Sequence, residues 1–299
     1  MTSPAFQLDR AGVRRAFDRA SAGYDGAAAL QARVREELID RLRLMKLDPA
    51  VVLDLGAGTG HGTLALKRLY GGAAAIALDI APGMLREARR NSRLFRRFRR
   101  VCGDARLLPL KDSSVDLVFS SLLLQWCDDL DAVFAEVRRV LKPGGFLSLS
   151  TLGPDTLREL RAAWSAADSA SHVHLFLDMH DVGDALTRAG FAEPVLDVDR
   201  IELSYPDVLA LARDLKAIGA HNAASARLKG LTGRAKWRAM TAAYEDFRRG
   251  GRLPASYEVV YCAAWGAEPR RARAVTDGEA RIAPGSIRRR TRPDSETRR

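Results

Sequence analysis

Apolar residues follow two rhythms along this chain, and their alternation sets the architecture. Short, nearly continuous apolar runs fall near residues 51 to 55, 74 to 79, 100 to 102, 115 to 120 and 145 to 151, and each reads as a buried strand. Between them, segments such as 61 to 70 and 129 to 141 carry apolar positions at helical spacing. Strand and helix in turn predict an α/β fold, a mostly parallel sheet with helices on both faces. Residues 191 to 204 and 255 to 265 add two strands and bring the sheet to seven.

The remaining helices flank this core. Val13, Ala16, Phe17 and Ala20 share one helical face; a break at 23 to 26 follows, then a helix over 27 to 44 with Leu30, Val34, Leu38 and Leu42 in register. After the turn Gly153-Pro154-Asp155, a helix contains Leu157, Leu160, Ala163 and Trp164, and another spans 181 to 189. Residues 206 to 254 separate the last two strands where a short hairpin would suffice. They are expected to form helices over 208 to 219 and 234 to 249, a helical cap over the carboxyl ends of the strands. Lys142-Pro143-Gly144-Gly145 reads as a sharp stop after the helix at 129 to 141, because Pro143 cannot continue it.

The first strand runs straight into Gly56, Gly58 and Gly60 and then into a helix start. Glycines at such a turn let the backbone approach a ligand, and the helix N-terminus offers free N–H groups. A dinucleotide fingerprint would need a third glycine where His61 stands, and no Gly-Lys-Ser/Thr follows for a phosphate loop. Asp54, Asp79 and Asp104 fall at or beside the carboxyl ends of three successive strands, where an open parallel sheet holds its ligand. That acidity suits a cationic ligand, and Asp79 is placed to accept two ribose hydroxyls.

In this order and spacing, Asp54-Leu-Gly-Ala-Gly-Thr-Gly60, Leu78-Asp79-Ile80, Gly103-Asp104-Ala105, the 115 to 120 strand and Leu141-Lys-Pro-Gly-Gly145 resemble the motifs of a class I S-adenosylmethionine-dependent methyltransferase. The resemblance implies a Rossmann-like sheet with an antiparallel last strand and S-adenosylmethionine as cofactor. Gly56, Gly58 and Gly60 would pack against its methionine part, Asp79 would hold the ribose, and Asp104 with Ala105 would meet the adenine. Tyr24, Gln31, Asp54, Ala57, Ile80, Met84 and Ser120 complete the expected cofactor site.

Further motifs narrow the likeness. Phe17-x-x-Ala-Ser-x-x-Tyr24-Asp25 with Leu30-Gln31, His172-Val-His174-Leu-Phe176, Asp214-Leu-Lys216 through His221-Asn222, Gly230-Leu-Thr-Gly233 and Pro254-Ala-Ser-Tyr257 are similar to the malonyl-acyl carrier protein O-methyltransferases of biotin synthesis. Such an enzyme methylates the free carboxylate of a malonyl thioester on acyl carrier protein. That carboxylate is ionised at neutral pH, so the expectation is catalysis by placement without an acid or base, with Tyr24, Gln125 and Trp126 as candidate positioning groups. A class I enzyme acting on another small molecule or on RNA, and a non-catalytic assembly factor of the same fold, stay open as alternatives.

Charge adds a partner. The chain carries +11 overall; residues 206 to 254 hold ten Lys or Arg against four acids, residues 267 to 299 ten Arg against five, and residues 86 to 100 eight Arg against Glu87. An acidic carrier protein would suit a basic cap, and Arg213, Lys216, Arg234, Lys236 and Arg238 are the expected docking cations. Nucleic acid is disfavoured: no Asn/Asp-Pro-Pro-aromatic motif follows the fourth strand, and Cys127 lacks the context of a pyrimidine-methylating nucleophile. His172, His174, Asp178 and His180 invite a metal, but their spacing splits them between a strand and the next helix, so none is expected. Three scattered cysteines fit a reducing cytoplasm, no apolar run spans a membrane, the first ten residues lack a signal core, and a monomer is favoured. The methyltransferase domain is expected over 1 to 266, with lid helices in 10 to 44 and a disordered basic tail from 267 to 299.

Overall fold

Val51–Leu55 forms β1, an interior strand of a seven-stranded sheet, where four of its five residues are buried. The structure is a computed structural model that describes residues 7–92, 97–173, 175–220, 222–223, 230 and 232–267. His174, His221, part of the 86 to 100 arginine cluster and the segment beyond 267 lie outside the described residues.

In chain order the elements are α1 (Arg10–Ala20), α2 (Tyr24–Ala27), α3 (Ala29–Arg43), β1, α4 (His61–Leu69), β2 (Ala74–Asp79), α5 (Pro82–Asn91), β3 (Arg99–Cys102), β4 (Val115–Ser121), α6 (Leu130–Val140), β5 (Leu141–Leu152), α7 (Arg158–Ser165), α8 (Met179–Arg188), β6 (Phe191–Tyr205), α9 (Val208–Ala217), α10 (Arg234–Glu245) and β7 (Leu253–Gly266). The strands lie in the order β3-β2-β1-β4-β5-β7-β6. β1 to β5 pair in parallel, and β7 runs antiparallel between β5 and β6. Strand order reverses between β1 and β4, the point at which an open α/β sheet leaves a crevice beyond its carboxyl ends.

Each sheet face has its own apolar layer. On one, Leu30, Val34 and Leu38 of α3, Trp164 of α7 and Tyr244 of α10 cover the strands; on the other, Val133, Phe134 and Val137 of α6 meet Val182 and Leu186 of α8. Burying side chains of this size contributes roughly 1.5–3 kcal/mol apiece before conformational entropy is charged against it.

Three sequence expectations need correction. The 23 to 26 break is itself a short helix, α2, that begins at Tyr24. Strand β5 begins at Leu141 and not at 145: Leu141 pairs with Val115, the register then shifts, and Phe146 pairs with Leu117. Pro143 is tolerated because it falls in that irregular stretch, where its missing N–H breaks no ladder. The helix expected over 234 to 249 ends at Glu245, and the chain turns back through an Arg249–Arg252 bridge into β7.

Candidate active site

The turn after β1 is welded to the end of β2. Gly56 and Ala57 both donate to the Leu78 carbonyl, at 2.8 and 3.0 Å. Gly56 takes a φ of 77°, and a Cβ there would stand 3.0 Å from the Leu123 side chain. Gly58, at φ 52°, donates its N–H to Asp79 Oδ2 at 2.8 Å, while Ala81 N–H meets Oδ1 at 2.8 Å. Two backbone amides therefore aim the Asp79 carboxylate.

Beyond these strand ends lies a cavity of about 200 Å³. The cofactor candidates Tyr24, Gln31, Gly56, Gly58, Asp79, Ile80, Met84, Asp104 and Ala105 line it, as do the positioning candidates Gln125 and Trp126. Asp54, Ala57, Gly60 and Ser120 are not on the wall. Asp54 is buried behind the turn, where it accepts the Thr63 hydroxyl at 2.6 Å; Ser120 donates to the Leu55 carbonyl at 2.8 Å; Gly60 heads α4 against Ala88 and Phe98; Ala57 is in the core. Neighbouring Ser121 is the serine that reaches the cavity.

The electrostatics differ from a plain acidic lining. Arg106 clasps Asp104, with Nε at 3.0 Å and Nη2 at 2.5 Å, and its Nη1 lies 3.8 Å from Asp128; Arg10 Nε is 3.5 Å from Asp128. Asp79 alone among the wall carboxylates has no cationic partner among the described residues. Burial raises its pKa, against the pull of the backbone amides of Ala81, Gly58 and Ile80. Burial also raises the Tyr24 phenol, followed by the fields of Asp79 and Asp25, so Tyr24 stays a neutral donor at working pH. Burial pushes the Cys127 thiol up to about 12, with Asp104 and Asp128 adding to it, and removes it as a thiolate nucleophile.

A cationic, amine-bearing cofactor fits these residues. Gln31 Oε1 is buried without a hydrogen-bond partner, an acceptor suited to an ammonium group. A Cβ on Gly58 would meet no protein atom within 4 Å, so the backbone there faces open space.

Sequence reasoning missed the fastening of the N-terminal segment. Asp25 accepts from the Thr59 hydroxyl at 2.6 Å, pairs with His61 Nε2 at 3.0 Å and accepts from Asn91 at 3.2 Å. Asp18 accepts the Gly83 N–H at the start of α5. Phe17 packs edge-on against Trp126, ring centres 5.1 Å apart, and both stand on the wall. His61 had signalled only a missing glycine; its part in the fastening depends on residues 36 positions away, which no local spacing reveals. Gln125 holds the Leu122 carbonyl at 2.7 Å and accepts from Thr151 at 3.3 Å, which fixes the loop after β4.

The docking candidates divide into two groups. Arg213 and Lys216 are exposed on α9, whose Leu215, with Ile218 just past its end, lines the cavity. Arg234, Lys236 and Arg238 are exposed on α10, which packs on α7, and Lys236 Nζ is 2.9 Å from Asp168. Among the described residues no group of three or more His, Cys, Asp or Glu could hold a metal ion, and no helix is long and apolar enough to cross a membrane.

Comparison with known proteins agrees with this geometry. Residues 53–149 match a family model described as a methyltransferase domain. A malonyl-[acyl-carrier protein] O-methyltransferase of Methylovorus sp. is 54% identical over 93% of this chain and 95% of its own length; that of Laribacter hongkongensis is 52% identical over 92% and 95%. Among solved structures, phosphoethanolamine N-methyltransferase 2 of Haemonchus contortus in complex with S-adenosyl-L-methionine shares the fold, with a TM-score of 0.53 at 15% identity over 84% of this chain and 57% of that one. With relatives so similar along nearly its whole length, this chain belongs to the malonyl-[acyl-carrier protein] O-methyltransferase family.

Proposed function

We infer that this protein transfers a methyl group from S-adenosylmethionine to the free carboxylate of a malonyl thioester carried on acyl carrier protein, giving the malonyl methyl ester used in biotin synthesis. The observation that carries the reading is Asp79, the wall carboxylate without a cationic partner among the described residues, held by Gly58 and Ala81 on a cavity whose wall is otherwise largely apolar and aromatic. Asp79 would hold the ribose, Gln31 the ammonium group, and the backbone at Gly56 and Gly58 would lie along the methionine part. Ala105 and Ile80 would border the adenine. Bound S-adenosylmethionine supplies a methyl group on a sulfonium.

The chain's own part in catalysis is placement. A malonyl carboxylate is ionised at neutral pH, so no residue has to remove a proton. Phe17, Trp126, Leu157 and Phe176 line the wall and would displace water from a bound acceptor, which strengthens the attraction between carboxylate and sulfonium. Tyr24, kept neutral, can donate to the acceptor without competing as a nucleophile. Holding two reactants in line is worth on the order of several kcal/mol of barrier.

Acyl carrier proteins are acidic, and the exposed cations of α9 and α10 would meet one, Arg213 and Lys216 nearest the cavity wall. Cytoplasmic residence and a monomeric state are part of the same proposal. Expression in a strain lacking its own methylase tests the role. Biotin-independent growth is expected from this chain and not from Asp79→Ala; failure of the folded chain to restore growth would count against it.

A further inference from the structure

The cavity wall carries Asp79 without a cationic partner among the described residues, and an acceptor that is itself an anion calls for a cation on that wall. Among the described residues on its wall, Arg10, Arg106 and His172 can carry positive charge. Arg10 and Arg106 are paired with Asp128 and Asp104, beside Ala105. His172 stands apart from them. Its ring lies flat on Trp164, centres 3.6 Å apart and planes 10° from parallel, and its Nε2 is 2.8 Å from Asp168 Oδ1. Lys236 holds Asp168 Oδ2 at 2.9 Å. A chain of three side chains from α10, the segment after α7 and the cavity wall thus fixes one imidazole, 17% exposed, on a wall it shares with Leu160, Phe176 and Tyr257.

We propose that His172 receives the carboxylate of the malonyl group through Nδ1–H and thereby selects a carboxylate-bearing thioester. This rests on the function proposed above. With Nε2–H given to Asp168, Nδ1 is the ring nitrogen without a partner among the described residues. Donation from both nitrogens requires the imidazolium form of the ring. The charged groups that bear on the ring are Asp168 directly and Lys236 through it; Tyr257 shares its wall. Stacking on Trp164 holds the ring plane, so Nδ1 would hold one carboxylate oxygen and leave the other to take the methyl. In the transfer that oxygen gains the methyl as the sulfonium gives up its C–S bond, and His172 loses no proton. The ester formed is neutral, so its attraction to the imidazolium falls and release follows.

Three variants test this against malonyl-carrier protein, with acetyl-carrier protein as a competing ligand. His172→Phe keeps the stacking on Trp164 but removes both donors: KM for malonyl-carrier is expected to rise about tenfold or more, and the preference for malonyl over acetyl to fall toward unity, while S-adenosylhomocysteine binding holds. His172→Asn places an amide donor near the Nδ1 position, and His172→Gln keeps the Asp168 contact without it; Asn is expected to discriminate more like the wild type than Gln. A folded His172→Phe with unchanged KM and unchanged preference, or Gln outperforming Asn, overturns the assignment. A wild-type chain that methylates no malonyl thioester overturns the proposed function itself, and the assignment with it.

Discussion

The Thr59 hydroxyl donates a 2.6 Å hydrogen bond to the Asp25 carboxylate, and this contact joins the short helix that carries Tyr24 to the turn that carries Gly58. Thirty-four positions separate the two residues, so the contact ties the N-terminal segment, whose Phe17 and Tyr24 line the cavity, to the glycine turn. Asp25→Ala is expected to weaken S-adenosylhomocysteine binding roughly five- to tenfold, the worth of about 1 kcal/mol for a partly exposed bond. Titration calorimetry checks it. Burial would raise the Asp25 carboxyl, but the bonds from Thr59, His61 and Asn91 outweigh burial and hold it below its ordinary range. A depressed carboxyl protonates only as pH falls through a value under about 3.9, so the contact persists at neutral pH.

Asp79→Ala removes the one wall carboxylate without a cation and leaves the N–H groups of Gly58 and Ala81 unpaired. Cofactor affinity is expected to fall about a hundredfold, while the circular-dichroism spectrum keeps its α/β form. Retention of full affinity by this variant would mean the cofactor lies elsewhere.

Asp54 gives a stability signature. Burial, opposed by the Thr63 hydroxyl and joined by the field of Asp79, pushes its carboxyl up to about 7. From about pH 4 to about pH 7 the folded chain keeps a proton that the unfolded chain has lost. The contribution of Asp54 is therefore largest in acid and declines as pH rises through that window. Denaturant titrations should show the stability of wild type, relative to Asp54→Asn, falling by roughly 2 to 3 kcal/mol between about pH 5 and pH 8.

Docking charges act on encounter. Reversing Arg213 and Lys216 to Glu should raise KM for malonyl-carrier about tenfold at low salt and leave KM for malonyl-pantetheine unchanged. Added salt should shrink the difference, because exposed charges are screened over about 10 Å at 0.1 M. The same reversal at Arg234 and Arg238, on the helix packed against α7, is expected to cost less.

Much of this was legible in the sequence because it is written in short-range periodicity. Val51–Leu55, the alternate glycines and Asp79 announce strand, turn and ligand crevice within thirty residues, and the seven strands follow from apolar runs. What was not legible depends on long-range contacts, such as Asp25 with Thr59, and on where side chains point. That Asp104 is clasped by Arg106, and that Asp54 turns back to Thr63, reflect side-chain directions that spacing alone does not fix. Ser120 and Ser121 illustrate the limit: adjacent strand residues point to opposite faces, and a one-residue difference separates a buried bond to Leu55 from the cavity wall. His172 looked like a possible metal ligand in sequence; Trp164, Asp168 and Lys236 give it another setting.

The most direct test is a transfer assay with the purified chain, methyl-labelled S-adenosylmethionine and malonyl-carrier protein, read by intact mass of the carrier and by its loss of label on mild base, which cleaves the ester. One labelled methyl per malonyl group is expected, none on acetyl-carrier protein, and none with Asp79→Ala. Label absent from the malonyl group, or found equally on acetyl-carrier protein, would contradict it.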